Sequence, residues 1–319
     1  MPETLNLMTT KNMSSLQKSN RKVTRSPLFY VGDKFKLLPQ LLEIFPQNIH
    51  RFIEPFTGGG SVAMNVKCNE FLLNDIDKNI VNIHELLKKS SSDPDRFHSR
   101  VSDLIIEYGF SRSYIDDIVP AALKKEFKKT YYARFNDKAY RKLRSDYNKE
   151  IEKDPYKLYL LLIYGFNRMI RFNSKGEFNV PVGNVDFNTN VIKSLEEYFS
   201  WASESKLLWF NKDYLEFMET IQFETDDFVY MDPPYLITFS EYNKLWNPDK
   251  EIQMLDLLDS LNDQGVRFAV SNVTHYKGRI NTKFLDWSKK YNSYKIKSNY
   301  ISYHDNSIKD FEEVLVTNY

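Results

Sequence analysis

Apolar residues in this 319-residue chain follow two rhythms that alternate along its length. Short apolar runs read as buried strands: "HRFIEPF" at 50–56, "EFLLNDID" at 70–77, "KLLWF" at 206–210, "DFVYM" at 227–231, "VRFAVSN" at 266–272, "SYKIKSNYI" at 293–301 and "EEVLVTN" at 312–318. Between them, apolar positions recur at helical spacing. "KNIVNIHELLKK" carries Ile80, Ile83, Leu86 and Leu87, and further helices are expected in the mostly apolar segment after Gly32 and near 251–264 and 281–291. "DPYKLYLLLIYGFNRMIRF" opens with Asp154 as a cap and Pro155 at the first helical position. "TGGGS" at 57–61 joins the first strand to "VAMNVKC", which is expected to start a helix. Strand, glycine loop, helix, strand, helix is the opening of an α/β, doubly wound, mostly parallel sheet. The rhythm breaks over 91–204, which reads as helices and loops. The expected organisation is a discontinuous core (26–90 and 205–319), an inserted domain (91–204) and a flexible polar arm (1–25).

Composition and charge alter this picture in three places. The single cysteine, Cys68, excludes an internal disulfide, and no Cys/His cluster has zinc spacing, so no metal is expected. No apolar run approaches the roughly 20 residues of a membrane span, and the N-terminus lacks the apolar stretch of a secretory signal. A cytoplasmic protein without membrane contact is expected. The net charge of +1 hides an asymmetry: residues 121–150 hold ten Lys/Arg against four Asp/Glu, and residues 1–25 hold five against one. Such a face suits a polyanion, and equally suits a solvated helix. Aromatic residues, at 15%, suit base stacking and core packing alike.

Two loops carry candidate chemistry. In "EPFTGGGS", Gly58, Gly59 and Gly60 allow backbone to approach a ligand closely, and they also satisfy a plain tight turn. The spacing is neither a dinucleotide fingerprint nor a P-loop. Asp75, at the end of the second strand, is placed to accept hydrogen bonds from ribose hydroxyls. Together they point to a nucleoside-containing cofactor without a pyrophosphate, which S-adenosylmethionine satisfies. In "MDPPYL", 231–236, Pro233 and Pro234 stiffen the chain as it leaves a strand, and Asp232 is pushed toward an extended backbone. The Asp232 carboxylate and the Pro233 carbonyl are two acceptors suited to one NH₂, and Tyr235 gives a flat face beside them. That is the equipment for chemistry on an extruded nucleobase. A simple β-turn is the structural alternative.

With these landmarks in order, the chain resembles the Dam-type adenine-N6 DNA methyltransferases over residues 26–319. "EPFTGGG" is similar to that family's "EPFxGGG", and "NRMIRFNSKGEFNVPVG" at 167–183 is similar to its recognition block. "NDID", "DPPY" and the "EVLVTNY" ending also match. The resemblance implies a Rossmann-like, S-adenosylmethionine-dependent core with a mainly helical target-recognition insertion. It implies cofactor contacts from Tyr30, Gly32, Lys34, Glu54, Pro55, Phe56, Gly58, Gly59, Gly60, Asp75, Asp213, Tyr214 and Asp232. Asp232, Pro233, Pro234 and Tyr235 would be catalytic, the first gripping the target amine and the last stacking on a flipped adenine. Arg168, Arg171, Asn173 and Pro181 would bind DNA, Arg171 reading guanine and Pro181 touching a thymine methyl, in a site containing GAT. Tyr30, Asp33 and Phe29 depart from the family pattern, where tryptophan, glycine and lysine stand.

The implied function is site-specific adenine-N6 methylation of double-stranded DNA by a nucleoid-associated enzyme. A restriction-modification system is the expected setting, with a cognate endonuclease as a functional partner. Cytosine-N4 methylation needs the same acceptors, and a DNA-binding module without catalysis is a third reading. An RNA substrate fits the recognition block less well.

Overall fold

A computed structural model of the chain describes residues 22–238, 246–297 and 311–319. In chain order these form α1 (Leu38–Ile44), β1 (Arg51–Glu54), a 3-10 turn (Ala63–Asn65), β2 (Glu70–Asn74), α2 (Lys78–Ser90), α3 (Pro94–Tyr108), α4 (Ala121–Glu126), α5 (Tyr131–Lys149) and α6 (Pro155–Tyr164). After a second 3-10 turn (Phe166–Arg168) come α7 (Thr189–Glu204), β3 (Lys206–Phe210), α8 (Tyr214–Glu219), β4 (Phe228–Met231) and α9 (Pro248–Asp263). The chain continues through β5 (Arg267–Tyr276), β6 (Arg279–Ile280), α10 (Thr282–Ser288), β7 (Asn292–Ile296) and β8 (Phe311–Thr317). The fold is mixed α/β with mostly parallel strands. Its described residues divide into two compact units, one holding 36–56, 215–238, 246–297 and 311–319 with Lys22 and Val23, the other holding 24–35 and 57–214.

In the first unit β1, β4 and β5 run parallel, with Phe52 opposite Phe228 and Tyr230 opposite Ala269. All four residues of β4 are buried, as expected of a parallel strand covered on both faces. β8 pairs antiparallel with β5, β7 antiparallel with β8, and the short β6 folds back on β5. Phe45 packs on Phe228 and Tyr230 at ring distances of 4.9 and 5.2 Å. Here the aromatic surplus is core.

In the second unit β2 and β3 are parallel, from Glu70 opposite Lys206 to Asn74 opposite Phe210. α2 buries Ile80, Ile83 and Leu87 of the stripe expected from its spacing, leaves Leu86 half-buried, and buries His84 beside them. α6 is buried from Leu158 through Tyr164, which explains its nearly unbroken apolar sequence, and its Asp154 cap accepts from the Tyr156 amide at 2.8 Å.

The helix expected after the glycine loop does not form. "VAMNVKC" makes one 3-10 turn and becomes extended at Val66. Asn65 explains the stop: its amide donates to the Thr24 and Ser61 carbonyls at 2.7 Å each and accepts from the Thr24 amide, giving the backbone partners that compete with helical ones. Residues 1–21 of the arm, and the part of the 293–301 run beyond 297, lie outside the described residues. Among the described residues no helix is long and apolar enough to cross a membrane.

Candidate functional site

The acid and the prolines sit where β4 ends. Met231 closes the strand and Asp232 follows, partly exposed, with Pro233 buried behind it. Pro234 and Tyr235 lead into a turn closed by the Thr238 amide and hydroxyl, both donating to the Tyr235 carbonyl. The Tyr235 hydroxyl lies 3.0 Å from Asp232 Oδ1 and 2.9 Å from Glu313 Oε1 of β8. Glu54, the buried last residue of β1, reaches the same edge. Its effect is felt by the buried Tyr230 phenol, pushed well above its ordinary pKa by burial first and then by Asp232, Glu54 and Glu313. After Glu54 and Pro55, the Phe56 ring meets Trp246 edge-on at 5.7 Å.

The glycine loop and Asp75 form the corresponding arrangement in the second unit. The Thr57 amide donates to the Asn74 carbonyl at 2.9 Å, tying the loop to the end of β2. Asp75 Oδ2 then accepts from the Gly58 amide and Oδ1 from the Asp77 amide, each at 2.8 Å. Burial, set against these bonds, pushes the Asp75 carboxyl up from its ordinary 3.8 to about 6. Gly58 and Gly60 have φ of +49° and +75°, a region that glycine enters at little cost. Gly59 is required for a different reason: a Cβ there would lie 2.9 Å from Cβ of the buried Tyr30. The Tyr30 carbonyl accepts from the Asp33 amide in the turn around Gly32, and the next residue, Lys34, is buried.

Sequence reasoning missed the groups that hold this loop. His84 of α2 is fully buried and contacts the Gly58 carbonyl through Nε2 at 2.9 Å. A carbonyl can only accept, so Nε2 carries the proton and Nδ1 accepts from the Tyr198 hydroxyl at 3.1 Å. Burial drives the His84 pKa down to about 4, keeping the ring neutral against Trp209 at 4.0 Å. The one available signal was a histidine four residues after Ile80 on a core-facing stripe. Two asparagines zip the ends of β2 and β3 together. Asn74 exchanges two hydrogen bonds with Lys212, and Asn211 donates to the carbonyls of Asp75 and Ile76. They bring Asp75 and the loop of Asp213 and Tyr214 to one edge.

Residues 165–183, which contain the 167–183 segment, fold as an irregular hairpin held against α5. Phe166 donates to the Pro181 carbonyl, Asn179 to the Arg171 carbonyl and Gly183 to the Tyr164 carbonyl. Arg144 and Asn148 of α5 hold it through Val180 and Phe178. Asn179 also grips Arg171, accepting from Nε at 2.8 Å and, through its carbonyl, from Nη2 at 3.3 Å. That occupies one side of the guanidinium, and among the described residues no bond to Nη1 is seen. Asn173 closes the 173–177 turn by accepting from the Lys175 and Glu177 amides. Pro181 and Phe166 are exposed.

Arg168 stacks on the buried Phe29 ring at 4.0 Å, and Arg25 approaches the same ring at 5.0 Å. A cation thus stands beside position 29 although that residue is apolar. Burial, with Arg25 nearby, lowers the Arg168 pKa to about 10, so it remains charged at neutral pH. On α4, α5 and the turn between them, Lys125, Lys128, Lys129, Arg134, Lys138, Arg141 and Lys142 are exposed, a basic surface on the same unit as the hairpin.

Gly183 packs more tightly than any side chain would allow. A Cβ there would fall 2.5 Å from the Gly165 carbonyl oxygen and 2.8 Å from its carbon, both backbone atoms. Gly183→Ala is therefore expected to pry the hairpin open and cost about 1–3 kcal/mol, read as a lower melting temperature.

The model of the D12 class of N6 adenine-specific DNA methyltransferases matches residues 30–301. The Type II methyltransferase M.FokI of Planomicrobium okeanokoites is 36% identical over 95% of this chain and 45% of its own length. The modification methylase StsI of Streptococcus sanguinis is 33% identical over 94% of this chain and 44% of its own length. The DNA adenine methylase of Escherichia coli K12 is 24% identical, over 79% of this chain and 81% of its own. The chain therefore spans less than half the length of the first two.

Proposed function

The chain belongs to the D12 class of N6 adenine-specific DNA methyltransferases, and on that premise we propose that it methylates adenine at a specific site in duplex DNA. The observation that carries this reading is the Asp232 carboxylate, partly exposed at the end of a buried strand and followed by a proline-stiffened turn that presents Tyr235. A catalytically silent binding module has no need of that arrangement, and the adenine-specific family leaves cytosine-N4 methylation disfavoured.

The residues of the second unit fit S-adenosylmethionine. The Gly58–Gly60 loop offers backbone free of side chains, and Asp75 keeps lone pairs beyond the two amide bonds it accepts. In this reading Tyr30, Gly32, Lys34, Glu54, Pro55, Phe56, Asp213 and Tyr214 complete the binding set. The cofactor supplies an electrophilic methyl group. Asp232 and the Pro233 carbonyl accept hydrogen bonds from the target NH₂, drawing its lone pair out of the adenine ring, while Tyr235 stacks on the base. The effect is positioning plus charge where the reaction develops it. Arg171 reads guanine, Arg168 and Asn173 support the contact, Pro181 meets a thymine methyl, and the exposed Phe166 is the ring that enters the stack beside the extruded base. The site contains GAT. The setting is a nucleoid-associated restriction-modification system; in its support, one relative is named a Type II methyltransferase and another a modification methylase.

Cofactor binding is expected to follow the Asp75 titration. Ribose hydroxyls donate to the charged carboxylate, so binding favours deprotonation. Affinity should hold above pH 6 and fall toward tenfold per unit below about 6, where Asp75 takes a proton. Calorimetric titration of S-adenosylmethionine at several pH values checks this. Asp75→Asn should weaken binding about ten- to a hundredfold at pH 8 and flatten that slope. Single-molecule sequencing of DNA from cells expressing the chain tests the function: modified adenines in one recurring sequence support it, and unmodified DNA contradicts it.

A further inference from the structure

Strained backbone and two cations meet in the second unit. Among the described residues five that are not glycine have positive φ, and three of them, Phe29 (+48°), Asn167 (+53°) and Arg168 (+49°), come together here. Left-handed backbone is costly for a residue with a Cβ and persists where the surroundings impose it, often at functional sites. The result is an Arg168 guanidinium stacked on the Phe29 ring at 4.0 Å, with Arg25 reaching the same ring at 5.0 Å and the Phe35 ring at 5.4 Å. The platform is anchored. The Phe29 amide donates to the Ser26 carbonyl at 3.1 Å, and the Tyr159 hydroxyl of α6 donates to the Pro27 carbonyl at 3.2 Å.

Charge at this place does not balance. Asp33 Oδ2 bonds Arg25 Nε at 3.0 Å, and Asp186, the other acid felt by Arg168, accepts from the Ser113 amide at 2.8 Å. Arg168 is half-buried, and its buried Nε finds no acceptor among the described residues. A buried donor left unbonded is costly unless a ligand brings the acceptor. Two guanidiniums on one ring suit an anion with several oxygens.

Resting on the proposed reading of duplex DNA as substrate, we propose that Arg25 and Arg168, held on Phe29, clamp one phosphate of the DNA backbone. A phosphate fits better than a base edge. Base reading needs one fork in a set direction, whereas here two forks share a platform, on the unit that also carries the exposed lysines and arginines of α4 and α5. The clamp fixes where the duplex lies and leaves sequence to Arg171.

The test is binding of the full chain to fluorescent duplexes with and without GAT, between about 50 and 200 mM salt, with melting temperatures recorded for each variant. Arg168→Gly removes the cation and puts at a left-handed position the residue that enters that region at little cost, so the fold should hold. It should weaken binding about tenfold, equally on both duplexes. Arg25→Gln should repeat the loss. The double variant should lose less than the product of the two, with the plot of log affinity against log salt shallower by about one, because both residues serve one phosphate. Arg168→Lys keeps the charge without the fork and should retain the slope. A loss confined to duplexes changed at one base pair would make Arg168 a base reader. Losses that multiply, with a slope shallower by about two, would mean separate phosphates, and unchanged affinity would remove the pair from the interface. Each of these overturns the clamp. Methyl transfer is scored separately: a chain that binds as expected but transfers no methyl overturns the methylation reading and leaves the clamp standing.

Discussion

Replacing Asp232 with alanine is expected to slow methyl transfer on the order of a thousandfold while barely moving the melting temperature. The chemistry sets the size of the effect. The lone pair of an adenine N6 amine is spread into the ring, which makes it a poor nucleophile. An acceptor fixed beside its hydrogens localises that pair and meets the charge that develops during transfer. Alanine leaves the Pro233 carbonyl as the remaining acceptor and removes the negative charge. The fold should tolerate the change because Asp232 lies outside β4, whose four residues form the buried strand, and is itself partly exposed. Asp232→Asn should fall between the two, since an amide retains one acceptor oxygen but brings a donor to the amine. Single-turnover rates at saturating cofactor and DNA give the comparison directly.

The second large effect is expected at Arg171. Asn179 holds one side of its guanidinium through Nε and Nη2, so its direction is set before DNA arrives. The outer end is suited to the two acceptors of a guanine edge, a pairing worth about 1–3 kcal/mol of discrimination. Arg171→Ala should weaken recognition of the cognate sequence by that amount and relax selectivity at one base pair. Asn179→Ala should reproduce part of the loss by letting the fork wander. Methylation rates on duplexes substituted one position at a time separate the outcomes. A uniform loss on every duplex, with a reduced salt dependence, would mark Arg171 as a phosphate contact instead.

The parallel strand β4 was legible because burial on both faces leaves an unbroken apolar run, and β3, of which only Leu207 is buried, and the antiparallel β8 also fall close to where apolar runs lie. α2, α6 and α9 were legible from helical spacing or from Asp and Pro at their starts. The segment after the glycine loop was misread because "VAMN" is compatible with a helix, whereas the side chain of Asn65 bonds to Thr24, 41 residues earlier. No local pattern encodes such a partner. The same division holds in the candidate site. Asp232, Tyr235, Asp75 and Arg171 announce themselves because their chemistry sits within short motifs. His84, Asn211 and Asn179 do not, because each matters through a neighbour supplied by strand pairing, helix packing or a hairpin. His84 looks like one more position on a core stripe until the Gly58 carbonyl is found 2.9 Å from its ring.

The central claim, that this chain methylates the exocyclic amine of adenine in duplex DNA, is open to one direct measurement. The protein is incubated with duplex DNA and S-adenosylmethionine carrying an isotopically labelled methyl group, and the DNA is digested to nucleosides for mass analysis. The account predicts the label in N6-methyldeoxyadenosine, with none when Asp232→Ala is used. Label in N4-methyldeoxycytidine, or no label in any nucleoside, would contradict it.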